Sequence, residues 1–260
     1  MKKDTKLSKE QAKQEAEYSF PYHYIVNRGK GNFSQTINLP WGFEYISYVS
    51  FVLDSLSSLR FESLLDIGCG DGRFLYEARK KFPRAKLVGV DYSEKAIGFA
   101  RLLSPEIDYV VADITDKRVL DGKFDVITAI EVLEHIHPRQ LTGFLGFLHF
   151  YLNNGGALIL TVPSKNVRVR SKHYQHFDID LLSGVLSPYF QISEKYFLNR
   201  IGYRTKIIRK ILSNNIFLLH SKGMLNIIYN YYEKNLLNAK EKDSQRICLI
   251  CRKMAEDINK

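Results

Sequence analysis

The chain has 260 residues, 45% of them hydrophobic and 25% charged, with a formal net charge of +10 and three cysteines. This content supports the packed core of one moderately large domain and excludes a mostly disordered chain, and no apolar run reaches the roughly 18–20 residues of a membrane-spanning helix. The lysine- and glutamate-rich start has no apolar centre, so it is not read as a secretory leader and a cytoplasmic location is expected. The positive charge implies attraction to something acidic: nucleic acid, phosphorylated small molecules or an anionic membrane surface.

In chain order, residues 1–17 form a polar arm and residues 18–41 an aromatic-rich stretch. Together, as segment 1–42, they are placed as a cap over a ligand. Apolar residues recur at helical spacing over 43–59. Strands are then predicted near 63–67, 86–90, 107–111, 123–129 and 155–162, alternating with helices near 72–81, 93–103 and 138–152. Such alternation predicts a parallel sheet with helices on both faces, each crossover right-handed. A helix over 178–186 and a strand over 190–197 follow, and the last strand is read over 245–252. The stretch 203–243 is long for a connection and carries apolar residues at helical spacing, so it is read as a two-helix lid. The expected architecture is α/β: a doubly wound, seven-stranded, mostly parallel sheet. Its core is 43–202, with the lid as a helical insertion before the last strand and 244–260 as that strand and the tail. Cys248 and Cys251 lie three apart on the last strand and so point to opposite faces, which argues for buried strand cysteines over a metal or redox pair.

The chemistry concentrates at Leu64-Leu65-Asp66-Ile67-Gly68-Cys69-Gly70-Asp71-Gly72, followed by Leu87-Val88-Gly89-Val90-Asp91. Strand, glycine loop, helix and strand in this order bind an adenosine-containing cofactor at the carboxyl ends of parallel strands. The glycines run G-x-G-x-G, not the G-x-G-x-x-G of nicotinamide and flavin enzymes. Asp66 sits where it would repel a pyrophosphate but suits a ligand offering a cation and hydroxyls. This pattern resembles motif I of the class I S-adenosylmethionine-dependent methyltransferases, of small-molecule or glycan type, over about 43–253. The resemblance implies S-adenosyl-L-methionine as cofactor. It also implies Asp66 near the cofactor's ammonium, the Gly68-Cys69-Gly70 backbone against its methionine end, and Asp91 on the ribose hydroxyls. Tyr92 would lie against the adenine, Asp113 would read its amino group beside Ile114, and Glu131 would lie on the methyl-bearing side.

On the acceptor side, His135, His173 and His176 are candidate bases, and Lys165, Arg168, Arg170 and Lys172 are candidate substrate contacts. From His135 to Phe177 there is no aspartate or glutamate, and focused positive potential there favours an anionic, phosphorylated or saccharide acceptor, methylated at a hydroxyl. An alternative rests on Glu131-x-x-Glu134-His135 with His176, which resembles the metal site of RNA 2′-O-methyltransferases; RNA would then be the substrate. A non-catalytic cofactor-binding scaffold is a third reading, and the basic lid helix also suggests peripheral membrane contact.

Overall fold

The computed structural model describes residues 8–17, 27–29, 32–34, 39–113, 120–213, 216–217, 219 and 221–254. Helix α1 (Lys9–Glu17) precedes a small antiparallel hairpin, β1 (Asn27–Gly29) and β2 (Asn32–Ser34), and α2 (Leu39–Ser57) leads into the main sheet. The remainder of the aromatic stretch lies outside the described residues. The core then alternates β3 (Ser63–Ile67), α3 (Arg73–Lys81), β4 (Lys86–Asp91), α4 (Glu94–Leu103), β5 (Asp108–Val111), β6 (Phe124–Ile130), α5 (Leu141–Tyr151) and β7 (Leu152–Pro163). It closes with α6 (Ile179–Leu186), β8 (Phe190–Arg200), α7 (Tyr203–Leu212), α8 (Lys222–Asn235) and β9 (Ser244–Lys253).

The sheet order is β5-β4-β3-β6-β7-β9-β8. Strands β3 to β7 pair in parallel, and β9 inserts antiparallel between β7 and β8. The expected seven-stranded, mostly parallel sheet is therefore present. Its helices cover both faces, which explains why the strands read as near-continuous apolar runs rather than alternating ones. Leu65, Ile127, Leu158 and Leu249 face the layer holding Phe144, Leu148, Leu182 and Leu186 of α5 and α6. Leu64, Val126, Ile159 and Ile250 face the layer of Val49, Val52, Leu75 and Ile97 from α2, α3 and α4. Cys251 belongs to the first layer and Cys248 to the second, so the two thiols are separated by the sheet. Burial pushes both thiols well above their ordinary pKa.

Several boundaries shift for local reasons. Pro138–Gln140 is a single 3-10 turn, and α5 begins only at Leu141. Strand β7 begins at Leu152, three residues earlier than the spacing predicts; between its pairings at Leu152 and Ala157 the register shifts in a bulge, where Gly155 takes the left-handed φ of +74°. The insertion forms two helices, as expected, closed by Ile208, Leu212, Tyr232 and Leu236 over Phe43. Sheet order reverses direction between β3 and β6, and a crevice outside the strand ends is expected at such a switch point.

Candidate active site

A cleft of about 670 Å³ opens there, with Asp66, Gly68, Gly70, Glu131 and Glu134 among its lining residues. The glycine loop is built on left-handed backbone: φ is +68° at Gly68, +55° at Gly70 and +78° at Gly72. A Cβ on Gly68 would lie 2.6 Å from Val132 Cγ2. The loop amides turn inward. Gly68 and Cys69 donate to the Val90 carbonyl at 2.8 and 3.1 Å, Gly72 donates to the Cys69 carbonyl at 3.0 Å, and Gly70 donates to Asp91 Oδ2 at 3.0 Å. A pyrophosphate site needs such amides aimed at the ligand, so this loop does not fit a dinucleotide. It fits a cation instead, because Asp66 is buried at the cleft floor and, among the described residues, Thr128 Oγ1 donates to it at 2.7 Å. Burial, with the charge of Asp91 added, pushes the Asp66 carboxyl from 3.8 up to about 7 despite that hydrogen bond. A bound ammonium would restore its charge.

Asp91 ends β4 as expected, yet both its oxygens already accept backbone hydrogen bonds, from Gly70 and from Ser93 at 2.9 Å. These bonds tie the loop to the β4–α4 turn and leave each oxygen a further lone pair; burial raises the Asp91 carboxyl to about 6. Tyr92 is half-buried and donates from its hydroxyl to the Gln11 carbonyl of α1 at 3.4 Å. Helix α1 continues across the cleft mouth. Glu15 sits 3.8 Å from Lys95, Lys13 donates to the Ser171 carbonyl at 3.0 Å, and Tyr174 donates to Ser8 Oγ at 3.1 Å. Asp113 is exposed and does not line the cleft. Ile114 lies outside the described residues.

At the end of β6, Glu131 takes a left-handed backbone (φ +57°), and its amide donates to the Thr161 carbonyl at 2.9 Å. Its carboxylate accepts from Thr161 Oγ1 at 3.1 Å and from Arg246 Nε at 3.1 Å, and the Arg246 guanidinium lies 4.4 Å from the Tyr48 ring centre. Glu134 is buried; its Oε2 has no hydrogen-bond partner among the described residues. Burial, and then the neighbouring Glu131, push the Glu134 carboxyl well above the usual range.

All three candidate histidines meet at the mouth. His176 Nδ1 lies 2.9 Å from the Val167 carbonyl, which can only accept, so Nδ1 carries the proton and Nε2 accepts. His173 Nδ1, 2.8 Å from His176 Nε2, is then the donor, and the lone pair of His173 sits on Nε2. The same argument places the His135 proton on Nδ1, 3.1 Å from the Lys172 carbonyl. Burial, then His135 and His176, lower the His173 pKa to about 2. Glu134, His135 and His173 bring ligand atoms within 4.8 Å of one another. Glu131 and His176 of the expected metal set are outside this group, one paired with Arg246 and the other with its Nε2 engaged by His173.

Arg168, Arg170 and Lys172 line the cleft, but Lys165 does not: it pairs with Asp178 at 2.5 Å on a neighbouring surface. The sequence reading missed Tyr48, Arg209 and Arg246, which also line the cleft. Arg209 reaches in from α7 and pairs with the buried Glu44 at 2.6 Å. The one available signal was a charged residue, Arg246, set flush against the apolar run of β9.

The model of a methyltransferase domain matches residues 41–194, more than half of the chain, and the chain belongs to that family. S-adenosylmethionine is the methyl donor of these enzymes. The ubiquinone biosynthesis O-methyltransferase of Dechloromonas aromatica is 33% identical over 120 residues, 44% of this chain and 50% of that one. The chain spans about a third to a half of the length of the curated relatives it matches. Among solved structures, N-methyltransferase NodS from Bradyrhizobium japonicum with bound S-adenosyl-l-homocysteine superposes with a TM-score of 0.57 at 18% identity, covering 82% of this chain and 88% of that one. Magnesium protoporphyrin IX methyltransferase from Synechocystis, with bound S-adenosylmethionine, gives 0.59 at 16% identity over 96% and 100%. At these identities the structures share the fold with this chain.

Proposed function

We propose that this protein moves the methyl group of S-adenosylmethionine to a hydroxyl of a small, anionic or saccharide acceptor. The observation that carries the reading is the cleft itself: a buried Asp66 at one end, and Arg168, Arg170 and Lys172 around the His173–His176 pair at the other. Asp66 would hold the donor's ammonium and the Gly68–Gly70 backbone its methionine end, while Asp91 keeps that loop shaped. When bound, the donor supplies an electrophilic methyl carbon on a good leaving group, so the protein's task is positioning and proton removal.

His176 fixes the tautomer of His173, and His173 Nε2 faces the acceptor hydroxyl as a neutral lone pair. As the new O–C bond forms and the S–C bond breaks, the acceptor oxygen becomes an oxonium. An oxonium is acidic enough to give its proton even to an imidazole with a pKa of about 2. The basic rim orients an anionic acceptor and, by adding positive potential, keeps His173 unprotonated. A second reading is favoured by the Glu134 oxygen that has no partner among the described residues: Glu134, His135 and His173 would suit a first-row divalent cation that holds the acceptor oxygen.

The test is methyl transfer from labelled S-adenosylmethionine to a panel of sugar phosphates, neutral glycosides, amines and short RNA, with and without chelator. Selective labelling of anionic or saccharide hydroxyls, with KM raised at least tenfold by Arg168→Glu and Arg170→Glu, supports the proposal. Preference for amines or RNA refutes it, and loss of activity on chelation selects the cation reading.

A further inference from the structure

Helices α7 and α8 carry more apolar surface than their packing uses. Ile208 and Leu212 of α7, Tyr232 of α8 and Leu236 just past its end are buried against each other. Beside that seam each helix shows a second stripe to solvent. On α7 it is Tyr203, 67% exposed, and Ile207; on α8 it is Met224, Ile227, 68% exposed, and Tyr231. The spacings i, i+4 and i, i+3, i+7 put each set on one helical face. Arg204 joins the two stripes, with its Nε 3.2 Å from Tyr203 Oη and its guanidinium in contact with Tyr231. The stripes therefore form one patch.

The charge around this patch is predominantly positive, the exposed Glu233 near the end of α8 being the one acidic residue of the two helices. From Tyr203 to Tyr232 the chain contains no aspartate or glutamate, and it carries Arg204, Lys206, Arg209, Lys210 and Lys222. Arg209 is committed to Glu44, whereas Lys206, Lys210 and Lys222 are exposed. A second copy of this chain would bring the same positive face to the contact, and like charges would oppose it. Tyrosines, aliphatic side chains and lysines on neighbouring helical faces instead match the boundary of an anionic bilayer, where rings sit at headgroup depth and lysines meet lipid phosphate.

We infer that the α7–α8 face docks the protein peripherally on an anionic membrane surface, with Tyr203, Ile207, Ile227 and Tyr231 entering the headgroup layer and Lys206 and Lys210, which flank the α7 stripe, meeting lipid phosphates. No helix among the described residues is long and apolar enough to cross the membrane, so the contact is one of a surface. The inference is independent of the acceptor assigned above.

The experiment is co-sedimentation of the full chain with vesicles of phosphatidylcholine alone and of phosphatidylcholine with one-third phosphatidylglycerol, at low and high salt. Binding is expected to the anionic vesicles and to weaken with salt. Each basic residue near an anionic surface contributes about fivefold, so Lys206→Glu with Lys210→Glu should weaken binding by about 25-fold or more. Ile227→Asp should abolish it, with thermal midpoint and S-adenosylhomocysteine affinity unchanged as the control for folding. Wild-type protein left in the supernatant with anionic vesicles overturns the proposal. So does equal binding to both lipids, or a dimer in light scattering that Ile227→Asp dissociates, which would make a second copy the occupant.

Discussion

Replacing Gly68 with alanine sets a methyl group where two constraints meet. The backbone at φ +68° costs a residue with a Cβ about 1–2 kcal/mol. The new Cβ would also sit 2.6 Å from Val132 Cγ2, more than 1 Å inside an ordinary carbon contact, and relieving such overlap in a packed site costs about 1–3 kcal/mol. The loop cannot drift to make room, because the Gly68 and Cys69 amides are bound to Val90 and that of Gly70 to Asp91. Gly68→Ala should therefore lose about 2–5 kcal/mol in urea unfolding, and S-adenosylhomocysteine binding by calorimetry should fall at least tenfold. Val132→Ala removes the obstacle but not the backbone cost. The double variant should thus recover about 1–3 kcal/mol relative to the sum of the singles, the signature of groups in contact. Strict additivity, or an unperturbed Gly68→Ala, would refute the close approach on which the loop assignment stands.

The Asp66 carboxyl is raised to about 7 and Asp91 to about 6 in the folded chain, both from 3.8. Each therefore binds its proton more tightly when folded, and that contribution to stability is full below pH 4 and is lost as pH rises through 6 and 7. The ligand-free melting temperature should fall between about pH 4 and 7, Asp66→Asn should flatten that fall, and a flat wild-type profile would contradict the burial of Asp66. Removing His173 should lower kcat with cofactor affinity unchanged, by less than the roughly 10²–10⁴ of a base whose pKa sits near the operating pH, and His176→Ala should reproduce part of that loss. Full turnover in either variant clears it of the proposed role. Arg246→Met strands the Glu131 carboxylate and should cost about 3–5 kcal/mol, mostly recovered by adding Glu131→Gln. Equal stability of single and double variants would show that the pair is idle.

What was legible from the chain is what is local. The glycine loop, its acidic neighbours and the strand–helix alternation are set by residues within about 20 positions of one another, so spacing reveals them. The histidines were visible as candidates, but their order was not, because the chain His173–His176–Val167 depends on how a loop without regular structure folds back. Arg246 and Glu131 are 115 residues apart, and Arg209 and Glu44 are 165 apart. No periodicity records a pairing of that kind. Lys165 shows the opposite error: it shares a basic run with Arg168 and Arg170, yet the Asp178 that caps α6 takes it away.

Helix α1 ties one bank of the cleft, at Tyr92 and Lys95, to the other, at Ser171 and Tyr174. These four ties are polar and trade readily for water, each worth about 1 kcal/mol or less. The expected consequence is a latch that loosens within a catalytic cycle, so that escape of the spent nucleoside, more than bond-making, paces turnover. Pre-steady-state bursts that shrink as ionic strength rises would register that timing; a burst indifferent to salt would assign the slow step elsewhere.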